Sequence, residues 1–363
     1  MEDKNIGPYS GHQKLSVVEA LERIDKNAHG ILFIVSEDGS LTGSVTDGDI
    51  RRWLIATGDL SSTVQKIMNR SPKFLYEADR QKAEEYMNEH VLRALPVLNK
   101  KRQIVEIVFH PGKEICVSDK KSSLFKTIPV IIMAGGKGTR LYPFTKILPK
   151  PLIPIGDIPI IVRIINQFCM YGVSDFYLTV NYRKEMIKSY FADLELPCRI
   201  HYIEEEIPLG TAGSIRLIER TFHTPVIVTN CDILIRADYE NIIEYHEMSH
   251  NALTIVSALK NVTIPYGVLH AGEEGIVTLL EEKPRLDYFV NTGMYVLQPE
   301  LLKMIPEKTF YHMTDLTDVL LKNGEKVGMY PVSEDSFLDM GEFEEMRRME
   351  EKIDAIGKVP DWK

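Results

Sequence analysis

From Ile128 onward short apolar runs alternate with amphipathic stretches, and this alternation restricts the fold more than any other feature of the chain. "IPVIIM" reads as an apolar strand and "IPIIVRIINQFCMYG" as a helix ending at Gly172. "DFYLTVN" is a strand, "KEMIKSYFAD" a helix, "CRIHYIE" a strand, "TAGSIRLIERTF" a helix, "PVIVTN" a strand and "YENIIEYHEM" a helix. After "ALTIVSAL" come hairpin-like strands ("YGVLHAGEEGIVTLLEE", "FVNTGMYVL"), a last strand and the helix "EFEEMRRMEEKI". Near-continuous apolar strands between helices place this region in the α/β class, as a mostly parallel, doubly wound sheet covered on both faces. In open sheets of this kind ligands bind beyond the carboxyl ends of the strands, so chemistry-bearing residues are expected at that edge.

Residues 1–110 have a different rhythm. "ILFIVSEDGSLTGSV" (Ile31–Val45) and "ALPVLNKKRQIVEIV" (Ala94–Val108) align at an offset of 63 residues. Each is strand, polar turn, strand, and each follows a helical pattern: Val18, Leu21 and Ile24 in the first copy, Ala83, Tyr86 and Met87 in the second. One copy cannot hide both faces of its small sheet, so the two are expected to pack together as a smaller α+β domain.

The first copy ends in "GSVTDGDIRRWL", which resembles the CBS domain, a module that pairs in tandem and often binds adenosine nucleotides. The resemblance implies that Thr46 and Asp49 hold a ribose, since a carboxylate can accept from both ribose hydroxyls. The alternative is that the two residues only cap the helix starting near Ile50. At the matching positions of Gly43, Thr46 and Asp49 the second copy carries Glu106, Phe109 and Gly112, so one adenine or guanine nucleotide site is expected rather than two. CBS pairs commonly dimerise, which makes a homo-oligomer the expected assembly. "GKEICVSDKKSSLFKT" (Gly112–Thr127) has no sustained period and reads as a linker. The expected domains are therefore 1–112, a linker over 113–127, and 128–363.

With 363 residues, 44% hydrophobic and 26% charged, the composition is that of an ordinary globular protein with room for two domains. A net charge of −9 argues against bulk affinity for nucleic acid or an anionic membrane. Neither a leader nor a spanning segment is read, which makes the cytoplasm the expected compartment. Cys116, Cys169, Cys198 and Cys231 are widely spaced and suggest buried free thiols, not a zinc site or disulfide framework.

Ala134–Arg140, "AGGKGTR", follows the first α/β strand directly. Glycines at 135, 136 and 138 let backbone N–H groups approach an anion, and Lys137 and Arg140 add positive charge. The loop is neither a Walker loop nor a good dinucleotide fingerprint. The longer string "MAGGKGTRLYPFTKILPKPLIPIGDIPII" resembles the signature of the sugar-1-phosphate nucleotidylyltransferases, and the likeness extends over roughly residues 128–356. It implies a Rossmann-like, GT-A-type sheet and attack of a sugar 1-phosphate on the α-phosphorus of a nucleoside triphosphate, with release of pyrophosphate. The nucleophile is already an anion, so catalysis would consist of alignment and charge stabilisation, with Mg²⁺ as cofactor.

Residue by residue, the resemblance implies nucleotide contacts from Ala134, Gly135, Gly136, Gly138, Thr139 and Arg140. It implies phosphate contacts from Arg140, from Lys150 in "PKP" and from Lys283 in "EEKP", and metal ligation by Asp232 and Asp339. Gly267, Glu282, Lys283 and Asn291 are implied on the sugar side. "EEEIPLGTAGSI" would read the base, with Gly210 beneath it and Thr211 beside it. Thymidine- and uridine-using relatives commonly carry Gln where Glu205 stands. A carboxylate only accepts hydrogen bonds and suits the two adjacent donors of guanine, so GTP is the expected nucleotide; a one-residue insertion would make Glu204 or Glu206 the reader. A CBS pair fused to such a transferase resembles a subgroup making GDP-glucosamine toward legionaminic acid. The alternatives are UTP or dTTP with glucose 1-phosphate, GTP with mannose or heptose 1-phosphate, and a catalytically silent nucleotide sensor.

Overall fold

The computed structural model describes residues 6–27, 29–110 and 123–354. The chain forms two compact units: Met1–Cys116 with Leu259–Phe289 and Ser333–Asp335, and Val117–Ala258 with Val290–Val332 and Ser336–Lys363. The N-terminal unit thus also takes in the later segments 259–289 and 333–335. Residues 111–122, which include Cys116, lie outside the described residues.

The N-terminal unit contains β1 (Ser10–His12), α1 (Val17–Asn27), β2 (Ile31–Val35), β3 (Leu41–Thr46) and α2 (Asp47–Thr57), followed by β4 (Leu75–Tyr76), α3 (Ala83–Glu89), β5 (Ala94–Leu98) and β6 (Ile104–Phe109). Both copies have the same topology, with β1 parallel to β2 and β4 to β5, and with β2 antiparallel to β3 and β5 to β6. Even the bulge repeats, between Ile34 and Val35 and between Val97 and Leu98. Val18, Leu21 and Ile24 are buried under the first sheet, and Ala83 and Met87 under the second. Phe33 and Leu41 share an apolar cluster with Ala94 and Leu98, and the Leu41 N–H donates to Arg102 O at 2.9 Å. Fully burying a Phe or Leu side chain of this kind is worth about 1.5–3 kcal/mol relative to exposure. The copies pack on each other, as the unpaired faces of their sheets require.

The second unit begins with β7 (Val130–Met133), a ribbon of β8 (Pro154–Ile155) and β9 (Ile158–Pro159), α4 (Ile160–Tyr171), β10 (Asp175–Val180), α5 (Lys184–Ala192) and β11 (Arg199–Glu204). Then come α6 (Gly210–Gly213), β12 (Val226–Asn230), β13 (Ile233–Ile235), α7 (Tyr239–Met248) and β14 (Leu253–Thr263). The hairpin β15 (Gly267–Ala271) and β16 (Val277–Glu282) belongs to the N-terminal unit; β17 (Arg285–Leu297), α8 (Met313–Lys322), β18 (Val327–Val332), β19 (Phe337–Asp339) and α9 (Phe343–Asp354) complete the chain. The seven-stranded sheet has the order β11-β10-β7-β12-β17-β14-β18. The ladders through β11, β10, β7 and β12 are parallel, β17 is antiparallel to β12, and β14 is parallel to β18. No described helix is long and apolar enough to cross a membrane.

Two sequence expectations change. "TAGSIRLIERTF" is not a long helix but α6 followed by a 3-10 turn over Ser214–Leu217. The N–H groups of Ala212 and Gly213 donate to Tyr311 O at 2.9 and 3.0 Å, so tertiary bonds replace helical ones there. Of the cysteines, Cys231 is buried, whereas Cys169 and Cys198 are only half-buried; all three are unbridged.

His246 on α7 is wholly buried, with Nδ1 2.8 Å from Thr254 Oγ1, and burial pushes its pKa down to about 4. The folded state therefore favours the neutral ring, while the unfolded chain takes up a proton near pH 6.5. This contribution to stability is complete above about pH 6.5 and is lost as pH falls toward about 4, by roughly 3 kcal/mol. Thermal unfolding at pH 7 and pH 5 should show a smaller acid-induced drop in Tm for His246→Gln than for the parent. An equal drop assigns the response to other groups.

Candidate active site

The site is built at the carboxyl edge of the parallel ladders. β7 is buried along its length, and Ala134 N–H continues the ladder to Thr179 O at 3.0 Å. The chain then turns through Gly135–Gly138. Gly138 has φ 62°, and a Cβ there would lie 2.9 Å from Thr145 Cγ2 and 3.1 Å from Lys150 Cβ. Glycine is needed both for the left-handed backbone and for the space. The buried Thr145 hydroxyl donates to Gly138 O at 2.8 Å and locks the turn. Lys137, Thr139 and Arg140 are exposed beside it.

Lys150 opens a 3-10 turn between Pro149 and Pro151, which hold the local backbone. Its ammonium pairs with Asp232, and the two side chains are 15% and 16% exposed. Asp232 follows β12 directly. β13 pairs with β19 so that Ile233 faces Asp339, and Met340 N–H donates to Asp232 O at 2.8 Å. This ribbon brings together two aspartates 107 positions apart in the chain. Burial opposes the charge on Lys150, but Asp232 beside it, helped by Asp339, outweighs that and raises its pKa. Burial and then the Asp232 charge raise the pKa of Asp339, with Lys150 pulling the other way. Cys231, pushed up to about 12 by burial, is an inert thiol.

Glu205 is 6% exposed, and its carboxylate accepts from Leu209 N–H at 3.1 Å. A Cβ on Gly135 would stand 2.5 Å from Glu205 Oε1, so this carboxylate lies directly under the glycine loop. Burial raises its pKa above the usual carboxylate range, and the Leu209 amide pulls it partly back. Glu204, in contrast, is exposed and pairs with Lys184 and Lys188, and Glu206 is exposed. Of the three acids, only Glu205 borders the loop.

The segment after it is fixed by a neighbour that sequence reading did not single out. Gly210 has φ 80°, and a Cβ there would meet Tyr311 O at 2.6 Å. Tyr311 N–H donates to Leu209 O at 2.9 Å, Met313 N–H to Thr211 Oγ1 at 3.0 Å and Thr211 N–H to His312 Nδ1 at 3.3 Å. Thr211 thus helps cap α8. Asn181, which donates to Glu205 O at 2.9 Å, and Thr145 were also missed; only the extended string around the loop hinted at Thr145.

Asn291, on β17, donates to Tyr295 OH at 2.8 Å and accepts from Gly293 N–H at 2.9 Å. Gly267 faces Glu282 across the β15–β16 ladder, with room for a Cβ only 3.1 Å from Glu282 Oε2. Lys283 follows at once, with its N–H on Tyr266 O at 3.3 Å. These three form one exposed group within the N-terminal unit.

In the first CBS-like copy Thr46 and Asp49 form a complete capping box. Asp49 N–H donates to Thr46 Oγ1 at 3.2 Å, and the Thr46 N–H and hydroxyl donate to Asp49 Oδ2 at 2.9 and 2.7 Å. Arg52 pairs with the other carboxylate oxygen. In the second copy Phe109, at the matching place, stacks on His29 (3.9 Å between ring centroids) and tilts against Tyr9.

A glycine turn, a lysine and two aspartates thus lie at the carboxyl edge of a parallel sheet, the edge where ligands bind in open α/β folds. Residues 129–355 match the model of the nucleotidyl transferase family, and residues 12–56 match the CBS domain. The chain belongs to the nucleotidyl transferase family and carries a CBS domain at its N-terminus. It is 32% identical over 205 residues to a mannose-1-phosphate guanyltransferase of Debaryomyces hansenii, covering 54% of this chain and 56% of that protein. The Saccharomyces cerevisiae mannose-1-phosphate guanyltransferase is 32% identical over 189 residues, 49% of this chain and 52% of the relative. The chain thus spans about half the length of the curated relatives it matches. A Bacillus anthracis crystal structure assigned to the glucose-1-phosphate thymidylyltransferases superposes with a TM-score of 0.51 at 21% identity, over 65% of this chain and 97% of that one; it supports the fold alone.

Proposed function

We propose that the protein transfers a guanylyl group from GTP to a sugar 1-phosphate and releases pyrophosphate. The carrying observation is the cluster of Lys150, Asp232 and Asp339 against the Gly138 turn. A phosphate oxygen of the sugar 1-phosphate attacks the α-phosphorus, a new P–O bond forms, and the bond to the β-phosphate breaks. The loop amides and Arg140 hold the triphosphate, and Lys150 offsets negative charge on the transferring group. Asp232 and Asp339 fit Mg²⁺, which is usually bound by one or two carboxylates together with substrate phosphates; bound there it would neutralise phosphate charge. Among the described residues no larger cluster of metal-ligating side chains occurs.

Glu205 supports guanine: a buried acceptor beneath the loop matches the base's paired N–H donors. The names of the curated relatives point the same way. Glucosamine 1-phosphate is the sugar proposed from the CBS fusion, and mannose 1-phosphate is the second reading, favoured by those relatives. Gly267, Glu282, Lys283 and Asn291 are the proposed sugar contacts, and Thr46 and Asp49 a proposed nucleotide contact of the CBS domain.

A matrix of four triphosphates against glucosamine, mannose, glucose and heptose 1-phosphates, scored by pyrophosphate, tests the proposal. GTP should lead by at least about ten-fold, because guanine alone among the four bases offers two adjacent N–H donors to the Glu205 carboxylate. Glu205→Gln should erode that lead in favour of UTP. A parent enzyme that prefers UTP or dTTP refutes the guanine assignment.

A further inference from the structure

The hairpin carrying Glu282 and Lys283 is fastened to a helix of the CBS domain, and it is this juxtaposition that has a consequence for the reaction. Leu259, at the hairpin's entry, is buried in one apolar cluster with Val17, Val18, Leu21 and Ile24 of α1, and Phe289, at its exit, packs against the same cluster. Above that contact Glu22 of α1 accepts from Asn261 Nδ2 at 2.8 Å and pairs with Arg285. Arg285 Nε also donates to Asn261 Oδ1 at 3.3 Å and lies 3.5 Å from Asp287, and Asn261 Nδ2 reaches Glu334 at 3.4 Å, so Glu22 joins a five-residue network. Arg285 lies two residues beyond Lys283.

An exposed ion pair alone stabilises little. This one is 31% and 41% exposed, shares a third partner and sits over buried apolar surface. What it holds is a conformation that the segment does not favour by itself. Lys283 has φ 49°, in the left-handed region, and it precedes Pro284, which steers its predecessor toward extended backbone. Two hydrogen bonds fix the turn locally, a long one from Lys283 N–H to Tyr266 O at 3.3 Å and one from Ile264 N–H to Pro284 O at 3.1 Å. Such backbone persists only where its surroundings over-determine it.

We propose that Glu22 is a positioning residue for the sugar 1-phosphate: through Arg285 and Asn261 the CBS domain sets the geometry of Glu282 and Lys283. The proposal rests on the transferase reading above and on the sugar-side role given there to those two residues. It makes the CBS domain a scaffold for one substrate and not for the other.

The test uses the full chain with Glu22→Ala and Glu22→Gln, in two arms. In hydrogen exchange, Glu22→Ala should speed the amides of Ile264 and Lys283 at least ten-fold while β2 and β5 stay protected. In kinetics it should raise KM for the sugar 1-phosphate about ten-fold, leaving KM for the triphosphate within two-fold. Glu22→Gln, which keeps an acceptor for Arg285 and Asn261, should stay near the parent in both. Unchanged exchange in Glu22→Ala overturns the proposal, as does an equal rise of both KM values or an unchanged sugar KM. A parent protein that releases no pyrophosphate from any substrate pair overturns the transferase reading and the substrate role together; the exchange arm then still shows whether the clamp exists.

Discussion

Lys150→Ala is expected to lower kcat by about a hundred- to a thousand-fold, the range seen when one preorganised donor to a charged transition state is removed. Lys150 is the cation paired with Asp232, is largely shielded from water, and stands against the Gly138 turn. Its positive charge is worth more there than on the surface, because low-dielectric surroundings strengthen every charge interaction. Its removal also leaves Asp232 and Asp339 facing each other without their cation, in the place where two phosphate-bearing reactants must meet. Lys150→Met, which keeps the apolar stem, isolates the loss of charge: its turnover should fall like that of the alanine variant, and its Tm should lie below the parent's but above that variant's. Stopped-time pyrophosphate assays with parallel melting curves decide the point. Near-parent turnover in both variants removes Lys150 from the mechanism.

Gly210→Ala should be nearly as damaging, for a reason rooted in the backbone. The residue has φ 80°, which costs a side-chain-bearing residue about 1–2 kcal/mol. The new methyl would also press on the Tyr311 carbonyl at 2.6 Å, and overpacking of this kind costs about 1–3 kcal/mol. A main-chain carbonyl cannot rotate aside as a side chain does, and Tyr311 is tied to Leu209, Ala212 and Gly213 by its own hydrogen bonds. Relief must therefore come from displacing the turn that follows Glu205. The expected result is a loss of about 2–5 kcal/mol in urea unfolding of the second unit, with at least a ten-fold rise in KM for the triphosphate. A variant matching the parent in both measurements would mean that this turn is not part of the nucleotide site.

The sheet was legible because its signal is local: β7, β10 and β12 are short apolar runs, each followed by a polar break. The internal repeat was legible too, down to strand boundaries, since β2 and β5, and β3 and β6, stand 63 residues apart. The glycine loop drew attention by its residue types and "PKP" by the family resemblance, and Lys150 stands against the Gly138 turn. What was not legible depends on contacts between distant residues. The spacing of Asp232 and Asp339 says nothing of their meeting; the β13–β19 ribbon accomplishes it. The apolar pattern after Gly210 has helical spacing, yet Tyr311 captures its amides. His312 looks like any loop histidine until its ring is seen against Thr211. Membership of residues 259–289 in the N-terminal unit turns on pairs such as Glu22 and Arg285, 263 positions apart, which no local pattern encodes.

In the proposed reaction Lys150, Asp232 and Asp339 act together on paired phosphates, and pyrophosphate release by the parent protein tests this most directly. With GTP and either glucosamine or mannose 1-phosphate, release should require the sugar phosphate, should stop on chelation of Mg²⁺ and should return when Mg²⁺ is restored. It should be nearly abolished in Asp232→Asn and Asp339→Asn. Release that is equally fast in chelator, or that persists in both aspartate variants, would contradict the assignment of this cluster as the catalytic centre.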